Sequence, residues 1–178
     1  MSPPGSPGRV LAISGSLRAR SVNTAVLLAA RALAPAGLAM ELFAGLAALP
    51  PFNPDLDVEP SPPAVAGWRS AVAAADTLLF CTPEYAHGVP GTLKNALDWL
   101  VSFEGFVGKR VAIINARPGG EHAQASLRET LRVMNARLLE PACITLPLTT
   151  NAHDVASLLA LPAVRARLEH CLAALAAA

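Results

Sequence analysis

The sequence predicts an α/β fold: a parallel β-sheet with helices packed on both of its faces. Three observations predict it. Short, unbroken apolar runs recur at Arg9–Ser14, Thr77–Cys81 and Lys109–Asn115, the pattern of strands buried on both sides. Each run ends in a loop shaped by glycine or proline, after which apolar residues return at helical spacing. Strands alternating with helices in this way imply parallel pairing, because each crossover helix covers the sheet. The chain has 178 residues, enough for one domain with a sizeable core, and nothing in it repeats or marks off a second domain.

Taken in order, Met1–Gly8 is rich in proline, glycine and serine and lacks the apolar centre of a signal peptide. It reads as a disordered lead-in over residues 1–8, leaving residues 9–178 as the domain. Arg9–Ser14 is the first strand. After the loop Gly15–Asn23, a helix runs to Ala34 with Val22, Val26, Ala29 and Leu33 as its buried stripe, and Pro35 and Gly37 end it. Leu38–Phe43 alternates weakly as a second strand. Residues 45–63 carry six prolines and form a long irregular connection, of a length that suits function or an interface. Ala64–Ala75 is a helix with Val65, Trp68 and Val72 inward, and Thr77–Cys81 is the third strand.

Two prolines and two glycines then fall within nine residues, Pro83 to Gly91, which no strand or helix interior accepts. Pro90 opens a helix that carries Leu93, Leu97 and Leu100. Lys109–Asn115 is the fourth strand, Ala116–Gly120 a turn, and Glu121–Asn135 a helix with Ala125, Leu127, Leu131 and Met134 inward. Leu138–Leu146 is the fifth strand. Asp154 caps a short helical turn, and Pro162 opens a last helix with Val164, Leu168, Leu172 and Leu175 inward.

Composition narrows the function. Hydrophobic residues make up 53% of the chain, charged ones 15%, and the net charge is +1. A near-neutral chain lacks the basic face that nucleic acid requires. It also lacks the acidity of an electron carrier that docks on basic partners. Few charges keep copies apart, which favours self-association. No apolar run reaches the roughly 18 residues of a membrane span. Three cysteines without a CxxC spacing give neither a disulfide framework nor a zinc site. Cys81 and Cys143 fall in apolar strands and Cys171 in a helix, as buried structural thiols do. A cytoplasmic protein with no metal centre fits these features.

In a parallel sheet, the loops after the first, third and fourth strands emerge on one side, where open α/β sheets bind their ligands. The first, Ser14–Asn23, brings Ser14, Ser16, Ser21, Arg18, Arg20 and Asn23 to a helix N-terminus. Unpaired amides and the positive helix dipole there suit a phosphate, and serine and arginine add hydrogen bonds and charge. The loop is neither a Walker loop nor GxGxxG. Taken alone, it also suits plain helix capping by Ser21 or Asn23. The second loop offers Glu84, Tyr85 and His87 with little bulk between them.

The pattern Gly15-Ser-Leu-Arg-x-x-Ser-x-Asn23, followed by Pro83-Glu-Tyr-x-x-Gly-Val-Pro-Gly-x-Leu-Lys-Asn-Ala-Leu-Asp-Trp99 and the turn Gly119-Gly120, resembles the NADPH-dependent FMN reductases. Quinone, azo-dye and chromate reductases of flavodoxin-like fold belong to that family, and the matched motifs span nearly the whole chain. The resemblance implies a three-layer sandwich on a five-stranded parallel sheet in order 2-1-3-4-5. It also implies one FMN per subunit, NADPH or NADH as co-substrate, a small-molecule electron acceptor, and a homodimer or homotetramer.

By matched position, Ser16, Arg18, Ser21 and Asn23 would hold the FMN phosphate, with Ser14 and Val22 counted beside them among the cofactor-binding residues. Pro83, Glu84, Tyr85, Ala86, His87 and Gly88 would run along the isoalloxazine ring, with Arg117, Gly119 and Gly120 approaching from the other side. The sequence departs from the family at Ala86, where asparagine is common, at His87, and at Arg117, which steers an anion or faces solvent. Lys94, Asn95, Asp98 and Trp99 read as packing residues.

The chemistry implied is a ping-pong exchange. A nicotinamide delivers hydride to flavin N5 and leaves before an oxidised acceptor takes its place. No protein nucleophile is needed. His87, whose ordinary pKa lies near neutrality, is the first candidate proton donor; Glu84 is a weaker one and reads rather as a structural or subunit contact. Two rivals share the fold: a flavodoxin-type electron carrier, disfavoured by the neutral charge and the Pro-Glu-Tyr loop, and a flavin-free binding protein.

Overall fold

The computed structural model describes residues 8–178. The lead-in expected over residues 1–8 lies outside the described residues, apart from Gly8. That residue opens β1, Gly8–Ser14. The chain continues through α1 Val22–Leu33, β2 Leu38–Leu42, α2 Pro63–Ala74, β3 Thr77–Cys81, α3 Gly91–Asp98, β4 Arg110–Asn115 and α4 Glu121–Val133. It ends with β5 Arg137–Leu138, β6 Ile144–Thr145, α5 Val155–Leu159 and α6 Pro162–Ala176. All strand pairings are parallel, in the order β2-β1-β3-β4-β5, with β6 also paired to β4. The flavodoxin-like order 2-1-3-4-5 is therefore present.

Alternation along the strands divides the core into two layers. Val10, Ala12, Leu79, Cys81, Ala112 and Ile114 face α1, α5 and α6. Leu11, Ile13, Leu78, Phe80, Val111 and Ile113 face α2, α3 and α4. Side chains point to opposite faces with period two, so an all-apolar strand is what a sheet covered on both sides requires. The second layer holds Trp68 and Trp99, both fully buried. Their indole N–H groups are not stranded: Trp68 Nε1 donates to Ala96 O at 2.8 Å and Trp99 Nε1 to Pro50 O at 2.9 Å. Burying such rings contributes about 1.5–3 kcal/mol each, provided the polar atom finds a partner.

Two expectations need correction. The fifth strand is not continuous over 138–146. It breaks into β5 and β6 around a single 3-10 turn, Glu140–Ala142. Pro141 has no N–H to give to the ladder, so the chain leaves the sheet there and rejoins it where Ile144 pairs with Ile114. Cys143 falls in the gap and is half-buried, unlike Cys81 and Cys171. In α4 the inward stripe is Ala123, Leu127 and Leu131. Ala125 is exposed, because a strict i, i+4 row leaves it on the outer side.

The proline-rich connection is pinned to α2 and α3. Asn95 Nδ2 donates to Pro50 O at 2.9 Å, and its Oδ1 accepts from the Phe52 amide at 2.7 Å. Arg69 pairs with Asp57 at 2.7 Å and donates to Trp99 O. Asn95 and Trp99 are thus packing residues, and Lys94 and Asp98 form an i, i+4 ion pair at 2.6 Å.

Candidate functional site

The site is set by register. Ser14 lies opposite Cys81, Cys81 opposite Ile114, and Ile114 opposite Ile144. Four strands therefore end within one residue of the same height, and the segments that follow them leave the same edge of the sheet. They enclose a cleft of ≈ 150 Å³ lined by Ser16, Arg18, Ser21, Val22 and Asn23 from the first loop. Thr82, Pro83, Glu84 and Tyr85 come from the second, Asn115, Ala116 and Arg117 from the third, and Asn151 from the segment after β6.

The first loop is built to present donors. Ser21 caps α1, its Oγ accepting from the Thr24 amide at 3.3 Å, while the first intrahelical bond runs from the Ala25 amide to Ser21 O. The amides of Val22 and Asn23 are left without an intrahelical partner. No acidic residue stands in the first turn, so the positive end of the helix is not neutralised from within. Asn23 is buried, and its Oδ1 accepts from the Cys81 thiol at 3.4 Å. That thiol lies deep in the core, and burial pushes it far above its ordinary range, so it remains a donor. Asn23 also lines the cleft. Ser14 lies beneath the loop rather than on the cleft wall. Its Oγ sits 2.8 Å from Thr24 Oγ1 and accepts from the Ser16 amide at 3.3 Å. Gly15 is forced by contact: a Cβ there would stand 2.1 Å from Thr82 Oγ1.

The second loop is a tight turn. Tyr85 and Gly88 exchange both backbone hydrogen bonds, at 3.1 and 2.9 Å. Ala86 and His87 between them have φ of 48° and 59°, the left-handed pair of a type I′ turn. Tyr85 is 52% exposed at the cleft mouth. Ala86, His87 and Gly88 lie beyond the lining. His87 instead stacks on His122, ring centroids 4.2 Å apart at 20°.

Glu84 reaches across to the first turn of α4, just past the third loop, where its Oε2 accepts from the Ala123 amide at 2.8 Å. In that third loop Gly119 takes φ of 90° and donates to Glu121 Oε1 at 3.1 Å. Gly119 and Gly120 shape the turn but do not line the cleft, whereas Arg117 does so from an exposed position. No cluster of three or more His, Cys, Asp or Glu suited to a metal occurs among the described residues.

Sequence reasoning missed Thr82, Asn115, Asn151 and His122. The level strand ends could have flagged the first two, since each is the residue at or just past a strand terminus. Asn151 and His122 had no local signal, because each is brought in only by the tertiary fold.

Comparison with known proteins places this arrangement. The profile of the NADPH-dependent FMN reductases matches residues 8–151. An NAD(P)H-dependent FMN reductase of Pseudomonas aeruginosa is 41% identical over 151 residues, covering 82% of this chain and 81% of that protein. A quinone reductase of Pseudomonas putida is 34% identical over 144 residues, covering 78% and 74%. In fold, the flavoenzyme NAD(P)H:(acceptor) oxidoreductase FerB of Paracoccus denitrificans superposes with a TM-score of 0.76 at 24% identity, covering 96% of each chain. The chain belongs to the NADPH-dependent FMN reductase family.

Proposed function

We infer that this protein is an FMN-dependent NAD(P)H oxidoreductase that reduces small-molecule acceptors such as quinones and flavins. One observation carries the reading: the strand ends are level, so the donors of the first loop and the Pro83–Tyr85 backbone converge on one cleft. The donor set fits the phosphate of FMN. Ser16, Arg18, the Asn23 carboxamide and the open amides of Val22 and Asn23 together offer charge, hydroxyl and N–H groups at a helix N-terminus. Residues 9–178 act as the single FMN-binding domain in this reading.

FMN, when bound, supplies the hydride chemistry between nicotinamide and acceptor. The protein's own residues bind and orient. Pro83 to Tyr85 form one side of the cleft and Asn115 to Arg117 the other, and backbone N–H groups in such loops stabilise negative charge. Tyr85 leaves the mouth open, which suits exchange of one small substrate for another. Because His87 packs on His122 and lies outside the lining, no proton transfer is assigned to it.

A cytoplasmic homodimer or homotetramer belongs to the same proposal. Charged residues are only 15% of the chain, which leaves little repulsion between copies, and the free thiols suit a reducing compartment. The test is direct. The purified protein is expected to be yellow, to take up added FMN, and to oxidise NADPH or NADH when a quinone is supplied. A colourless protein that takes up no FMN would sink the reading. FMN uptake without turnover would select the electron carrier instead.

A further inference from the structure

We propose that the groove beside the phosphate loop is a second nucleotide subsite, which takes the adenosine monophosphate half of FAD while the riboflavin phosphate half occupies the cleft. The proposal rests on the flavin reading and extends it: FAD is a ligand of this chain alongside FMN.

The groove lies between the start of α1 and the segment Asn151–Val155, and it encloses ≈ 900 Å³. That is within the roughly 300–1,000 Å³ of small-molecule sites, and several times the flavin-side cleft. Three residues, Arg18, Ser21 and Asn151, line both spaces. The two spaces are therefore neighbours across these three side chains, and a group esterified to a phosphate held by the first loop lies next to the groove.

The chemistry of the walls matches a second phosphate followed by a flat base. Arg18 and Arg20 both border the groove, and neither guanidinium has an ion-pair partner among the described residues. An arginine fork suits a phosphate oxygen pair. Asp154, the one carboxylate on the lining, is engaged in the cap of α5, where its Oδ1 accepts from the Ser157 amide at 2.8 Å. Beyond the arginines, Ala25, Leu28 and Val155 give an apolar floor, with the half-buried His153 beside it. An adenine ring presents an apolar face and a π-system that imidazole can stack on. An apolar groove alone would not identify its occupant. Continuity with the phosphate loop and the two unpaired arginines make it a phosphate-linked nucleotide.

Calorimetric titration of the flavin-free protein with FMN and FAD tests this. FAD is expected to bind at least as tightly as FMN. His153→Ala and Ala152→Glu change residues that border the groove but not the cleft. Each is expected to weaken FAD by about ten-fold or more while leaving FMN within about three-fold. Thermal melts equal to wild type confirm that both variants fold. The proposal is overturned if FMN binds but FAD binds more than about ten-fold more weakly, or if the variants weaken both flavins alike. It is also overturned if they weaken NADP+ binding to the FMN-loaded protein and spare FAD, which would give the groove to the nicotinamide co-substrate. Failure of FMN itself to bind would overturn the flavin reading first, and this inference with it.

Discussion

The Glu84 carboxylate accepts a hydrogen bond from the Ala123 amide at 2.8 Å, so the loop after β3 supplies the cap that α4 lacks. Gly120, at the N-cap of α4, has no side chain to offer. Glu84 fills that place from another loop, and in doing so ties the two walls of the cleft together. Glu84→Ala is expected to cost about 1 kcal/mol of stability, the usual worth of a cap, and to weaken FMN binding. Glu84→Gln keeps an acceptor and loses only the charge–dipole part, about 0.3–1 kcal/mol. Urea denaturation of the two variants, beside FMN titration, reads both effects. Equal stability of Glu84→Ala and wild type would refute the capping role.

Ala86 holds a φ of 48°, a conformation that costs a non-glycine L-residue roughly 1–2 kcal/mol. Asparagine tolerates it best after glycine, which gives a backbone reason for the asparagine common at this position in the family. Ala86→Asn and Ala86→Gly are each expected to raise stability by up to about 1 kcal/mol, whereas Ala86→Val lowers it. Melting temperatures of the three variants should rank in that order. A stabilising valine would be incompatible with the type I′ turn.

Arg18 stands on the cleft wall, and its guanidinium has no ion-pair partner among the described residues. Arg18→Ala is expected to weaken FMN by roughly 1.5–3 kcal/mol, the range for a hydrogen bond to a charged group. Riboflavin, which has no phosphate, should bind both proteins equally. If FMN affinity is unchanged, or riboflavin loses as much as FMN, Arg18 does not hold the phosphate.

The elements most legible in the sequence are those set by local pattern. The strands Thr77–Cys81 and Gly8–Ser14 declare themselves by unbroken apolar runs, and Asp154 by capping chemistry, which the structure realises as a full capping box. The break at Pro141 was equally local and was masked by the apolar residues around it. Among site residues, Ser16, Arg18, Ser21, Val22, Asn23, Pro83, Glu84 and Tyr85 line one cleft, while Ser14, Ala86, His87 and Gly88 stand outside its lining. Which residues Glu84 and His87 meet is not legible. Their partners, Ala123 and His122, lie 39 and 35 positions away in the chain, and only the parallel crossover through α3 and β4 brings them back. Motif spacing reports residues that meet a ligand; it carries no record of residues that meet each other.

Asp57 and Arg69 give the pH prediction. Asp57 Oδ1 pairs with Arg69 at 2.7 Å, and Ser102 Oγ donates to its Oδ2 at 2.5 Å. The Ser102 hydroxyl, with Arg69 adding hydrogen bonding and charge against the opposing effect of burial, holds this carboxyl below its ordinary value of 3.8. The folded protein therefore binds this proton less readily than the unfolded chain. The contribution is fully present above pH 3.8 and is lost as pH falls from there through the folded-state value. At neutral pH, Asp57→Asn is expected to be less stable than wild type by about 1–3 kcal/mol, since a charged partner of Arg69 becomes neutral. As the medium is acidified below about pH 4, the gap between the two proteins should close, because wild-type Asp57 then takes up the proton that the amide mimics. Urea midpoints measured from pH 7 downward decide the point: a gap that stays constant or widens in acid would show that Asp57 does not anchor the proline-rich connection through its charge.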